Sequence, residues 1–310
     1  MNQRTSSTPE IAIAVAQFAP VDDVVANLAS IRDLTATAVA RGAALVVFPE
    51  YASFFEAELG QRFVDAAEPI DGPFVSGLSA LAREFGVHLV AGLVEKTADG
   101  SRFSNTLVAL DASGSLVASY RKLHLYDAFG ASESTWVQPG DIVPVETFTV
   151  GEFIVGLQTC YDLRFPEVTR RLVDAGAALV LVPSEWVRGP LKEHHWRTLV
   201  TARALENIVY VAAADHAPPV GVGNSMIVDP MGVEIATIGE ITDIAVATIS
   251  TDRLSSVRAI GRGKDHVDGM VSGCVLGFQL VHQARRGPSV EVLDRVRPHL
   301  PRSLLAWLTS

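Results

Sequence analysis

The chain has 310 residues, 48% of them apolar, and carries 35 acidic against 25 basic residues for a formal charge of -10. So large an apolar fraction excludes a disordered chain, and the acidic balance excludes diffuse binding to nucleic acid, which needs a clustered positive surface. Two cysteines, Cys160 and Cys274, exclude a disulfide scaffold and a four-cysteine metal site.

The polar segment 1–9 reads as a flexible tail. Residues 11–18 read as a strand, since Gln17 interrupts the apolar run and makes it unlike a signal-peptide core. No stretch reaches the roughly 18 uncharged apolar residues of a membrane helix, so a cytoplasmic protein without membrane contact is expected. Leu28, Ile31, Leu34 and Ala38 share one helical face, opened by Asp22 and Asp23 and closed by Gly42. A strand over 44–48 follows, then Phe74, Leu78, Leu81 and Phe85 at helical spacing after Asp71-Gly-Pro73, where proline suits a first turn. Further strands are predicted over 88–93, 105–110, 153–157, 178–182, 208–214, 225–228 and 244–249, with a helix opened by Pro166 and closed near Gly176. Most of these runs are continuously apolar, which calls for strands covered on both faces. Strands and helices alternate without a Pro/Gly/Ser linker, so 10–268 reads as one α/β domain. The apolar, proline-punctuated extension 269–310, with Cys274 as a packing residue and Trp307 near its end, is expected to pack on that domain or on a subunit interface.

Three chemistry-bearing residues directly follow apolar strands. Glu50 ends the run Val46-Val-Phe-Pro-Glu50, Lys122 follows the stretch 116–120, and Cys160 closes Leu157-Gln-Thr-Cys160. Strand ends are where α/β folds gather active sites. Singly, each has an ordinary reading: a core thiol, a solvated carboxylate, a surface ammonium. Together they form a chemical set. A carboxylate of raised pKa can take the proton of a thiol, and an ammonium with a backbone N–H can hold the oxyanion that forms when sulfur attacks a carbonyl. His124 and the adjacent His194 and His195 do not suit a shared metal, because neighbouring residues on an element diverge. No metal or cofactor is expected.

VVFPEYA, YRKLHLYD and LQTCYDLRFPE, in that order, resemble the glutamate, lysine and cysteine motifs of the nitrilase or carbon–nitrogen hydrolase superfamily. The likeness runs from about residue 11 to 258 and includes ARALEN at 202–207 and GNSMIVDPMG at 223–232. It implies a four-layer α-β-β-α sandwich that forms a homodimer or a higher homo-oligomer through helices near the active site. It implies Glu50 as general base and acid, Lys122 as oxyanion stabiliser and Cys160 as nucleophile, with Glu133 orienting the lysine and assisting substrate binding. The Tyr161 N–H would complete the oxyanion site, and Arg164 and Glu167 would form a structural shell.

Tyr161-Asp162 after the cysteine resembles the amidase and carbamoylase branches, whereas true nitrilases carry Trp-Glu there. The resemblance is to the ω-amidase and deaminated-glutathione amidase group, although residues 191–194 are more than that group shows. Within 184–197, cations at Arg188, Lys192, His194 and His195 are candidates to receive the free carboxylate of a monoamide, and Glu185 to hold an amine-bearing substrate. The expected function is therefore hydrolysis of a small linear amide through a thioester, with N-carbamoyl hydrolysis and nitrile hydrolysis as alternatives. A catalytically silent binding protein on the same fold is the reading from another class.

Overall fold

Continuously apolar strands need cover on both faces, and the architecture supplies it with two sheets packed together and helices outside each. In this computed structural model, residues 10–128 and 130–261 are described. The expected tail 1–9, the extension 269–310 and Cys274 lie outside the described residues. The chain divides into two units after Arg258, and both sheets belong to the first.

The first sheet comprises β1 (Glu10–Gln17), β2 (Leu45–Val47), β3 (His88–Lys96), β4 (Phe103–Leu110), β5 (Leu116–Arg121) and β12 (Asp243–Ser250). The second comprises β6 (Thr147–Val150), β7 (Phe153–Leu157), β8 (Leu179–Pro183), β9 (Tyr210–Ala214), β10 (Met226–Val228) and β11 (Glu234–Thr237). Their orders are β12-β1-β2-β3-β4-β5 and β11-β10-β9-β8-β7-β6. β1, β2 and β3 run parallel, as do β7, β8 and β9, and the remaining pairs are antiparallel.

Alternation within each strand shows why the runs are continuous. Ile13, Val15, Leu45 and Val47 face Leu179, Leu181, Tyr210 and Ala212 in the core between the sheets. Ala14, Val46 and Phe48 instead pack outward under α1 (Val24–Ala40) and α3 (Pro73–Phe85) with Ile31, Phe74 and Leu78. Val180, Val182, Val211 and Ala213 pack with Leu172, Trp196 and Val200 under α4 (Pro166–Asp174) and α5 (Lys192–Asn207). The protein is thus an α-β-β-α sandwich, with its glutamate and cysteine turns leaving parallel strands of opposite sheets.

Local signals set the helix ends. Asp23 caps α1 by accepting from Val25 N and Ala26 N, and Pro73 and Pro166 open α3 and α4. The buried positions of α1 include Asn27 and Thr35, whereas Leu28 and Leu34 are only partly buried. The reason is polar: the Asn27 amide accepts from Val21 N at 2.8 Å and donates to Val21 O at 2.7 Å and Ser53 O at 3.1 Å. It thereby fastens the helix start to the turn after β2.

Elements outside the sequence expectation are the edge strands β6 and β11 and the helices α2 (Gln61–Ala66), α5 and α6 (Thr251–Gly261). α5 lies in a charged stretch for which no element was predicted; it is helix from Lys192 because Trp196, Val200 and Ala204 bury one face beneath the charges.

Gly92 in β3 is where backbone passes closest to the glutamate turn. Its N–H donates to Pro49 O and its carbonyl accepts from Ser53 N, each at 3.0 Å, while a Cβ there would lie 2.3 Å from Tyr51 N. Gly92→Ala is expected to cost about 3 kcal/mol in denaturant unfolding, whereas Gly239→Ala, with nothing near its added Cβ, is expected to cost about 0.5 kcal/mol or less. Equal effects would contradict this tight approach.

Candidate active site

The site is organised around a buried ammonium. Lys122, just past β5, is 2% exposed, and its Nζ donates to Glu50 Oε1 at 2.9 Å and to Glu133 Oε1 at 3.0 Å. Glu50 follows β2 and is 1% exposed. Its Oε1 also accepts from Asn105 Nδ2 of β4 at 2.5 Å, and its Oε2 accepts from the peptide N–H of Glu185 at 2.6 Å. Glu133, in a 3₁₀ turn, additionally receives the Tyr51 hydroxyl at 2.8 Å and the Tyr126 N–H. Burial opposes the ammonium, yet the Glu133 and Glu50 carboxylates hold Lys122 well above its ordinary pKa. Burial, reinforced by repulsion from Glu133, raises the Glu50 pKa despite Lys122 and Asn105, so its basicity exceeds that of a solvated carboxylate.

Cys160 lies beyond the end of β7 and opens a 3₁₀ turn, Cys160–Arg164, with φ +42. That left-handed conformation is strained for a side-chain-bearing residue, and the neighbouring contacts hold it. Asp162 is the hub of those contacts. Its fully buried carboxylate accepts from Tyr120 Oη at 2.7 Å, His124 N at 3.1 Å and Thr159 N at 3.1 Å, and it pairs with His124 Nδ1 at 2.8 Å. Residues 120 and 124 flank the lysine and residue 159 precedes the cysteine, so one carboxylate ties the two motifs together. The His124 ring also stacks on Phe165, with centroids 3.7 Å apart. The turn's own ladder begins with Asp162 N donating to Thr159 O at 2.9 Å, which leaves the Cys160 and Tyr161 N–H groups ahead of it.

The Cys160 thiol, 7% exposed, donates to Glu185 O at 3.5 Å. Burial and the Glu50 carboxylate push it well above the usual thiol range, with Lys122 opposing. A thiol held protonated beside a strengthened base and a fixed ammonium is equipped for attack on a carbonyl in which proton transfer accompanies bond formation. A cavity of about 480 Å³ opens on this group. Its walls carry Tyr51, Glu133, Tyr161 and Trp186 near Lys122 and Cys160, with Arg164 and Lys192 as further cations and Glu56 and Glu58 as further carboxylates. Lys192 donates to Tyr126 Oη at 2.7 Å, and Arg164 lies 5.1 Å from the Trp186 ring centre.

The fold brings together Glu50, Lys122, Glu133, Cys160, Tyr161 and Glu185, all singled out in the sequence. Arg188, His194 and His195 are not among the residues lining the cavity, and Arg188 pairs with Glu240 at 2.9 Å. Sequence reasoning missed Asn105, Asp162 and the cavity position of Arg164. Asn105 is legible only as a polar residue in a buried strand, and Asp162 as the charge beside the cysteine. Buried His216 was also missed: its Nε2 lies 2.7 Å from Glu50 O, and burial lowers its pKa to about 4. Among the described residues no cluster of His, Cys, Asp and Glu suits a metal, and no helix is long and apolar enough to cross a membrane.

The carbon–nitrogen hydrolase family model matches residues 12–259. A deaminated glutathione amidase of Escherichia coli O157:H7 is 38% identical over 250 residues, covering 80% of this chain and 93% of that protein. A protein of Mycobacterium tuberculosis named as a hydrolase is 38% identical over 262 residues, covering 79% and 91%. Among solved structures, the C. elegans NitFhit protein superposes with a TM-score of 0.76 at 30% identity over 84% of this chain and 66% of that one. A double mutant of the amidase from Nesterenkonia sp. AN1 in complex with acrylamide gives 0.67 at 30% identity over 81% and 95%.

The electrostatics of the thiol are testable directly. Alkylation of Cys160 by iodoacetamide, followed on its own peptide by mass spectrometry, is expected to accelerate only above the ordinary thiol pKa of 9.0. Glu50→Gln removes a repelling charge and is expected to move that profile to lower pH. A plateau by neutral pH, or a shift upward in the variant, would contradict the assignment of charges.

Proposed function

The chain belongs to the carbon–nitrogen hydrolase family, and from that premise we propose that it is an amidase cleaving a small linear amide through a thioester on Cys160. The observation that carries this reading is the Lys122 ammonium fixed between Glu50 and Glu133 in the wall of the cavity that Cys160 also lines. The names of its relatives, a deaminated glutathione amidase and an amidase in complex with acrylamide, support the same chemistry.

In this mechanism the amide oxygen sits against Lys122 and the Tyr161 N–H. Cys160 Sγ attacks the carbonyl carbon while Glu50 accepts the thiol proton, and the two donors hold the tetrahedral oxyanion. On collapse Glu50 passes the proton to the amide nitrogen, the carbon–nitrogen bond breaks and ammonia leaves. Water then attacks the thioester with Glu50 again as base, giving the carboxylic acid and the thiol. Glu133 orients Lys122 and does not itself exchange protons in this scheme.

The substrate class follows from the cations. Arg164 and Lys192 line the cavity together with Lys122 and Cys160 and suit a carboxylate at the far end of the substrate, as in an ω-amide of a dicarboxylic acid. N-carbamoyl compounds rank second. A second copy of the chain is the proposed partner: Met231 and Val233 are exposed beside Gly232, which lies against the exposed Leu205.

Ammonia release is expected to be fastest from succinamate or glutaramate, slower from an N-carbamoyl amine and slowest from an aliphatic nitrile. Arg164→Ala and Lys192→Ala are each expected to raise KM for the ω-amides by about tenfold or more, the scale of a lost charge-assisted hydrogen bond. Comparable rates on the nitrile, or unchanged KM in both variants, would defeat this reading.

A further inference from the structure

Glu185 is used by the proposed reaction only through its backbone: its N–H holds Glu50 Oε2 at 2.6 Å and its carbonyl receives the Cys160 thiol at 3.5 Å. Its carboxyl group has no role there, yet it lines the same cavity, and its Oε1 is buried without a hydrogen-bond partner. An acceptor left in that state is unfavourable, and a ligand in the cavity that brings a donor satisfies it once the side chain turns toward that donor. The charges around it point the same way. Glu50, Glu133 and Asp215 lie close enough to act on it, and the opposing cations are Lys122, already shared between two carboxylates, and, with a weaker influence, Lys192, which donates to Tyr126 Oη. Burial, together with the Glu50 and Asp215 carboxylates, pushes the Glu185 carboxyl well above its usual range, the direction expected of an acid short of a cationic partner. The remaining cavity cations, Arg164 and Lys192, suit a group of opposite sign on the same molecule.

We propose that Glu185 determines substrate specificity by receiving an ammonium group of the substrate, so that the preferred class is the ω-amide of an α-amino acid, its carboxylate lying toward Arg164 and Lys192. This rests on the amidase reading and narrows it. A zwitterion meets the acidic and basic regions of the wall at once, whereas a deaminated ω-amide leaves the Glu185 oxygen unpaired. Rejecting a ligand that fails to satisfy a buried polar group is a strong source of discrimination.

Two matched pairs differ only in the amine: L-glutamine against glutaramate, and L-asparagine against succinamate. In wild type, kcat/KM for ammonia release is expected to favour the amine-bearing member of at least one pair by about tenfold or more, and Glu185→Gln and Glu185→Ala are expected to lower that ratio by about tenfold. A preference for the deaminated members, or a ratio unmoved by both substitutions, overturns the role of Glu185 while leaving the amidase reading intact. Release from none of the four compounds counts against the amidase reading instead. Binding then decides Glu185 separately: by calorimetry, Cys160→Ala is expected to bind the amine-bearing member more tightly and the double variant with Glu185→Ala to lose that preference. Equal affinities in the single variant overturn the proposal.

Discussion

The structure depends on one buried charge, the ammonium of Lys122 between Glu50 and Glu133. Taking such ions out of water costs several kcal/mol apiece, and only close pairing with further hydrogen bonds repays it. The members of this cluster come from separate places around the first sheet: Glu50 from beyond β2, Asn105, which holds Glu50, from β4, Lys122 from beyond β5, and Glu133 from a later 3₁₀ turn tied to Tyr51. The registers of those strands are therefore fixed by the charge cluster as well as by their apolar faces. A fixed ammonium of this kind needs no reorganisation when an oxyanion forms beside it.

The second sheet contributes Cys160, the proposed nucleophile, and around the site hydrogen bonds add to the apolar packing that joins the two sheets. Glu185, beyond β8, donates its N–H to Glu50, and Asp162 of the cysteine turn gathers residues 120, 124 and 159. The strained backbone at Cys160 is held by this clamp, and the thiol and the base are positioned by neighbours from opposite sheets. High pKa values on both Cys160 and Glu50 share one cause, burial with excess negative charge nearby. In the proposed reaction the consequence is a thiol activated during attack and not before it.

Much of this was legible in the sequence because two-sided burial writes continuous apolar runs and because strand ends present Glu50, Lys122 and Cys160. Pro73, Pro166 and Asp23 marked helix starts by backbone chemistry that needs no tertiary context. What escaped depended on contacts distant along the chain. α5 carries its burial on Trp196, Val200 and Ala204 beneath a charged surface, so its pattern resembles a polar loop. Asn27, Asn105 and Asp162 are polar residues at buried positions, and only their partners, in other elements, explain them. Arg164 looked structural because its distance from the substrate space is set by the turn at Cys160, which sequence spacing does not reveal.

The proposed thioester on Cys160 is common to every substrate with the same acyl group. The most direct measurement supplies hydroxylamine as a competing acceptor and compares a primary amide with its N-methyl amide, which share that acyl group but release ammonia and methylamine. Hydroxamate and acid are expected in one constant ratio for both, since the same acyl-enzyme partitions between the two acceptors. A ratio that changes with the departing amine, or acid without hydroxamate at any hydroxylamine concentration, would contradict it.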